Sequence, residues 1–132
     1  MGQRHFPETK EELNKLVEDL NINLGDIDTC LITNMSMLFR DTERTDFSGI
    51  ESWDTSNVTD MALMFYRAKH FDKNINAWNV SKVENMSSMF SYALNFNQNL
   101  DSWNVNHSLT YRMFEGSPLQ NNPPKWYKPK SD

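Results

Sequence analysis

Trp53-Asp-Thr-Ser-Asn-Val58-Thr-Asp-Met61-Ala-Leu-Met64-Phe65 returns 25 residues later as Trp78-Asn-Val-Ser-Lys-Val83-Glu-Asn-Met86-Ser-Ser-Met89-Phe90. The remainder of the unit repeats as well: Ala68-Lys-His-Phe71-Asp-Lys-Asn-Ile75-Asn-Ala-Trp78 is echoed by Ala93-Leu-Asn-Phe96-Asn-Gln-Asn-Leu100-Asp-Ser-Trp103. A fixed internal period of this size marks an architecture in which one unit is too small to close a core and stacked neighbours bury it together.

Working outward, a partial earlier copy runs Ile32-Thr-Asn-Met35-Ser-Met-Leu38-Phe39, then Phe47, Ile50 and Trp53, with one residue inserted before the tryptophan. A drifting last copy runs Trp103-Asn-Val105, Met113-Phe114, Pro118-Leu119 and Trp126, having lost a residue on each side of Phe114. End units drift because each meets a neighbour on one side only. Stacking aligns like residues in rows: Phe39/Phe65/Phe90/Phe114, Trp53/Trp78/Trp103, Met61/Met86 and Ile50/Ile75/Leu100.

Within a unit, Val58, Met61, Met64, Phe65 and Ala68 follow the stripe of a short helix, with Ser56 or Asn57 at its cap. Phe71 to Trp78 suits a short strand between turns, with Trp78 on the face opposite Ile75 and Ala77. Ahead of the array, Leu13, Leu16, Val17 and Leu20 make the apolar stripe of a capping helix, with Thr9 and Glu12 as its capping box. After it, Trp126 and Tyr127 are expected to fold back as a lid, and Lys128 to Asp132 to form a tail. The fold expected is an α/β repeat, a short leucine-rich-repeat-like solenoid: an N-terminal capping helix and lead-in over 1–31, the array over 32–114, and a C-terminal cap and tail over 115–132.

These units resemble the bacterial 25-residue repeats of BspA-like leucine-rich-repeat surface proteins, also found in mycoplasma lipoproteins. The opening, Phe6-Pro-Glu-Thr-Lys-Glu-Glu-Leu13, is similar to the usual lead-in, and Phe114-Glu-Gly-Ser-Pro-Leu119 to the usual close. The resemblance implies a leucine-rich-repeat-like solenoid with a role in recognition. It implies no catalytic residues.

The chain has 132 residues and a net charge of −5, which argues against a nucleic-acid partner because phosphates demand a cationic face. Eight acids against Arg40 and Arg44 lie between Asp26 and Asp60, expected first as a solvated flank and, as the alternative, as a patch that would steer a basic protein partner. Cys30 is the only cysteine, so no internal disulfide forms. No segment has the length of a membrane span and the opening residues lack the apolar core of a signal peptide, so no membrane insertion is expected. A cytosolic location follows, with the cell surface as the alternative, and the protein is expected to be a monomer.

No catalytic chemistry stands out. His5, His70, His107 and Cys30 have no metal-ligand spacing, and no phosphate loop or nucleophile elbow occurs. Asp60 and Asp72 recur as Asn85 and Asn97, which acid–base pairs would not tolerate. No enzyme activity, metal or cofactor is expected. Binding residues are sought where copies differ while the frame repeats: Asp41, Glu43, Arg44 and Glu51; then Arg67, Lys69, His70, Asp72, Lys73 and Asn76; then Tyr92, Asn95, Asn97, Gln98 and Asp101. The expected function is a protein-binding repeat module, an inhibitor, immunity or adaptor protein. The alternatives are cell-surface adhesion or host contact, and carbohydrate binding if the Trp row were exposed; packing inside the core is the favoured place for that row.

Overall fold

The computed structural model describes residues 3–128. The only α-helix among them, α1, spans Lys10–Glu18, and three single turns of 3-10 helix lie at Leu24–Asp26, Ile50–Ser52 and Pro118–Gln120. Backbone pairing of β type is limited to isolated parallel bridges, His5 with Ile27 and the series Asn34, Asp60, Asn85 and Leu109. The expected α/β leucine-rich-repeat solenoid is therefore corrected. Among the described residues there is no sheet, and no repeat unit contains an α-helix.

The apolar stripe that suggested a helix belongs to consecutive tight turns. The amides of Met64, Tyr66, Ala68 and Phe71 donate to the carbonyls three residues earlier at 3.0–3.2 Å. Leu63 and Arg67 have φ of 59° and 58°, the left-handed region, so the chain cannot continue as a right-handed helix. The same positions are left-handed in the other coils: Met37 and Asp41, Ser88 and Tyr92, Arg112 and Gly116. Each left-handed residue sits third in its turn, where a type II turn requires positive φ.

This alternation turns every second amide toward the next coil. Met61, Leu63, Phe65 and Arg67 donate to the carbonyls of Asn85, Ser87, Met89 and Ser91 at 2.9–3.0 Å. Met35, Met37, Phe39 and Asp41 donate in the same way to Asp60, Ala62, Met64 and Tyr66 at 2.8–2.9 Å. Successive units are thus joined in one register by turn backbone rather than by strands.

The Phe71–Trp78 stretch is likewise not a strand. Asn74 Oδ1 accepts from the Asn76 amide at 3.0 Å, and the Trp78 amide donates back to Ile75. Ile75 and Trp78 are both buried while Ala77 is exposed, the reverse of the expected sidedness. Asp/Asn side chains punctuate each coil in this manner: Asn34, Asp60 and Asn85 accept from Ser36, Ala62 and Ser87 at 2.8–2.9 Å. Both residue types carry Oδ1, which is why the copies exchange them freely.

The core is two rows of rings. Phe39, Phe65, Phe90 and Phe114 stack nearly parallel at centroid spacings of 5.5, 5.6 and 5.8 Å. Beside them Phe71 and Phe96 lie 5.3 Å apart, with Phe47 edge-on to Phe71 at 5.0 Å. The rows touch face to face, Phe65 on Phe71 at 3.9 Å and Phe90 on Phe96 at 4.2 Å. A buried ring of this size removes on the order of 150–250 Å² from water, and the rows account for most of the largest fully buried side chains.

The tryptophans are also interior. Trp53, Trp78 and Trp103 are at most 5% exposed. Each indole N–H donates to a carbonyl of the preceding coil: Trp53 to Leu24 at 2.8 Å, Trp78 to Ile50 at 3.1 Å, Trp103 to Ile75 at 3.0 Å, and Trp126 to Leu100 at 2.7 Å. The row presents no exposed ring faces for sugars to stack on.

At the N-terminal end, α1 buries Leu13 and Val17, while Leu20 lies beyond the helix and is exposed. Thr9 Oγ1 accepts from the Glu12 amide at 3.1 Å, and Glu12 reaches back to the Glu8 amide at 3.3 Å, one residue earlier than a regular capping box. At the other end Trp126 and Tyr127 pack against Phe114 at 6.2 and 5.0 Å. Of the tail expected over Lys128 to Asp132, residues 129–132 lie outside the described residues.

Candidate functional site

Because the coils bury their apolar rows inside, any site is made of what the turns push outward. The second left-handed residue of each coil and its predecessor share one face, exposed or half-buried except at Ser91, which is buried. Arg40 and Asp41 of the first coil, Tyr66 and Arg67 of the second, Tyr92 of the third and Glu115 of the last lie in sequence along it, since Asp41, Arg67 and Tyr92 each donate their amides to the coil beyond. Arg67 stands over the Tyr66 ring at 5.3 Å and the Tyr92 ring at 6.0 Å, and Arg40 over Tyr66 at 5.8 Å. Tyr66 and Tyr92 meet edge-on at 5.9 Å. Arg40 pairs with Asp41 at 3.4 Å. The Tyr92 hydroxyl donates to Glu115 Oε1 at 2.8 Å, and this bond raises the phenol above its ordinary range. Tyr92 lies over Gly116, where a Cβ would come within 2.3 Å of the ring, so glycine is required at that point.

The other expected binding residues separate into two kinds. Glu43, Glu51, Lys69, His70 and Asn76 are exposed and Lys73 is half-buried. Asp72, Asn95, Asn97, Gln98 and Asp101 are instead engaged between coils. Asp72 Oδ1 accepts from the Asn97 amide at 3.0 Å and from Gln98 Nε2 at 2.9 Å, Asn95 Nδ2 donates to the Lys69 carbonyl at 2.6 Å, and Asp101 accepts from the Lys125 amide at 2.9 Å.

Arg44 is a correction. It is 3% exposed, and its guanidinium donates to the carbonyls of Val17 and Asp19 at 3.0 Å, Asp46 at 3.1 Å and Ile22 at 3.4 Å. It fastens the C-terminal end of α1 to the first coil, where a cation suits the helix dipole. Burial lowers its pKa, and Nε has no hydrogen-bond partner among the described residues.

The sequence reading passed over Arg40, Tyr66, Tyr111 and Arg112, all on the turns. The signal was present: the residue after each ladder phenylalanine is Arg40, Tyr66, Ser91 and Glu115 in turn, as variable as any position chosen.

A cleft of about 590 Å³ lies at the C-terminal end of the stack, lined by Ser87, by residues 108–112, 114 and 115 of the last coil, and by Gln120, Tyr127 and Lys128. Burial raises the Tyr127 phenol, opposed by a hydrogen bond with the Met113 backbone. Among the described residues, no cluster of His, Cys, Asp and Glu is arranged to hold a metal ion, and no helix is long and apolar enough to cross a membrane.

These features define a stacked-coil repeat protein with a filled interior and an Arg/Tyr-bearing face. The chain belongs to the family described as Mycoplasma protein of unknown function, DUF285, whose family model matches residues 9–126. No curated protein and no solved structure matches the chain.

Proposed function

We propose that this chain is a non-enzymatic protein-binding module that recognises its partner through the turn face. The observation that carries this reading is Arg67 held between the Tyr66 and Tyr92 rings on an exposed surface. Arginine and tyrosine concentrate at the energetic centres of protein interfaces because they bring large contact area together with directed donors. Arg67 and Tyr92 occupy a position that changes from coil to coil while the interior repeats, so the frame can hold a surface specific to one partner. Covering a protein partner in this manner suits an inhibitor, immunity or adaptor role.

Affinity purification from native cells tests the proposal with the wild-type chain and an Arg67→Glu/Tyr92→Ala variant. One stoichiometric protein retained by the first and lost by the second supports it. Equal retention by both overturns the turn-face assignment.

A second reading is favoured by the resemblance to BspA-like surface repeats: the same face serves contact at the cell exterior. Protease treatment of intact cells decides between them. Digestion of the chain supports display at the surface, and full protection supports an interior role.

A further inference from the structure

We propose that Arg67 receives a single aspartate or glutamate carboxylate of a partner protein, flanked on the partner by apolar side chains. This rests on the protein-binding reading above and names its chemistry. Of the arginines borne by the turns, Arg40 and Arg112 are answered within the chain. Arg40 lies 3.4 Å from the Asp41 carboxylate and donates to the Met37 sulfur at 3.7 Å. Arg112 lies 3.7 Å from Glu115, whose other oxygen accepts from the Tyr92 hydroxyl. Arg67 is exposed, and among the described residues its guanidinium meets no carboxylate and makes no hydrogen bond. Its neighbours are the Tyr66 and Tyr92 rings, with centroids at 5.3 and 6.0 Å.

Two rings fix where this cation sits without using any of its five N–H donors. The stem is anchored as well, since the Arg67 amide donates to the Ser91 carbonyl at 3.0 Å. A planar fork held in place with its donors free is suited to bidentate pairing with a carboxylate, and little ordering remains to be lost on binding.

The charge balance of the face selects the anion. With Arg40 set against Asp41 and Arg112 against Glu115, one positive charge is left over, at Arg67. A monoanionic carboxylate matches it. A phosphoryl dianion, or a run of acids, would bring further negative charge toward Asp41 and Glu115 in a chain of net charge −5. An exposed ion pair is weak by itself, so the ligand needs apolar groups that cover it. The turns offer contact for such groups at Met37 and Tyr92, 45% and 38% exposed, and at half-buried Leu63 and Tyr66. One acid among apolar side chains is what a protein segment presents; sugar acids and inorganic anions carry no such flank.

The test is titration of the isotope-labelled full chain with acetyl-Val-Leu-Glu-Leu-Val-amide, following the Arg67 Nε–H and the Tyr66 and Tyr92 ring signals. Saturable shifts at all three are expected. The Gln counterpart should bind about tenfold more weakly, and Arg67→Lys, which keeps the charge and removes the fork, should cost about fivefold. Acetyl-Val-Glu-Glu-Glu-Val-amide should bind no tighter than the single-Glu peptide. The contrast of Glu with Gln needs no variant, so the test stands even if Arg67→Lys fails to fold. No saturable response at millimolar peptide, or equal affinity for the Glu and Gln peptides, overturns the proposal. Tighter binding of the triple-Glu peptide overturns its single-carboxylate component. Inorganic phosphate or galacturonate binding as tightly as the peptide overturns the protein source, and a concentration-dependent Arg67 shift without peptide replaces the partner with a second copy. Arg67-dependent capture from cells beside a silent titration defeats the carboxylate alone. Equal capture by wild type and Arg67→Glu/Tyr92→Ala beside a Glu-selective titration defeats the turn-face reading alone.

Discussion

The Trp78 indole N–H donates to the Ile50 carbonyl at 3.1 Å, across 28 residues of chain. Both residues are buried, and the bond adds a link between coils at a carbonyl that also accepts from the Trp53 amide at 3.1 Å. Trp78→Phe keeps a ring in the row and removes one of the two donors to the Ile50 carbonyl, leaving the Trp53 amide in place. The expected loss is about 0.5–1.5 kcal/mol, the net contribution of one hydrogen bond whose acceptor keeps another donor, measured by urea unfolding. A Trp78→Phe chain as stable as wild type would show that the indole contributes only its ring.

The left-handed turn residues hold conformational strain at defined places. Ser88 has φ of 57°, while its neighbour Ser87 does not lie in that region. Ser88→Gly is expected to stabilise the fold by about 0.5–1 kcal/mol, since glycine relieves a left-handed cost of roughly 1–2 kcal/mol but loses more chain entropy. Ser87→Gly should destabilise by a similar amount. Thermal melts of the pair check the sign at each position.

Acid should loosen the turns. The Ser56 hydroxyl and amide donate to Asp54 at 2.6 and 2.9 Å, and this holds the carboxyl below its ordinary range. Ser48 does the same for Asp46, and the Cys30 amide, with a smaller contribution from Arg4, for Asp28. A carboxyl whose folded pKa is depressed adds stability above its unfolded value, near 3.8, and that stability is lost as pH falls through the folded value. The triple variant Asp28→Asn/Asp46→Asn/Asp54→Asn retains Oδ1 acceptors, as Asn79 and Asn104 do natively. Its midpoint should fall less steeply than wild type between about pH 5 and pH 3. Equal slopes would place the acid sensitivity elsewhere.

The sequence made the register legible because identity recurs at 25 residues, and the Phe, Met, Ile and Trp rows it named are all buried. Local backbone was not legible. Inward residues at Val58, Met61, Met64, Phe65 and Ala68 fit a helix and a train of three-residue turns almost equally, because both return the chain to the core every three to four residues. What separates them is positive φ at Leu63 and Arg67, and neither residue type announces it. Arg44 was misplaced because charge argued for solvent, whereas the carbonyls at the end of α1 that hold it come from 25 and 27 residues away. On the turn face, Arg67 and Tyr92 were found through variation between copies. Tyr66 and Arg40 were missed because they adjoin an invariant phenylalanine.

Stacking of like residues from successive coils is tested most directly by proton–proton contacts between the Phe65 and Phe90 rings, 25 residues apart in sequence. With centroids at 5.6 Å and planes within 3° of parallel, the ring protons should give clear nuclear Overhauser cross-peaks in the folded chain, and Phe90 should give them to Phe114 as well. Cross-peaks confined to residues within one unit would contradict the stack and remove the surfaces built on it.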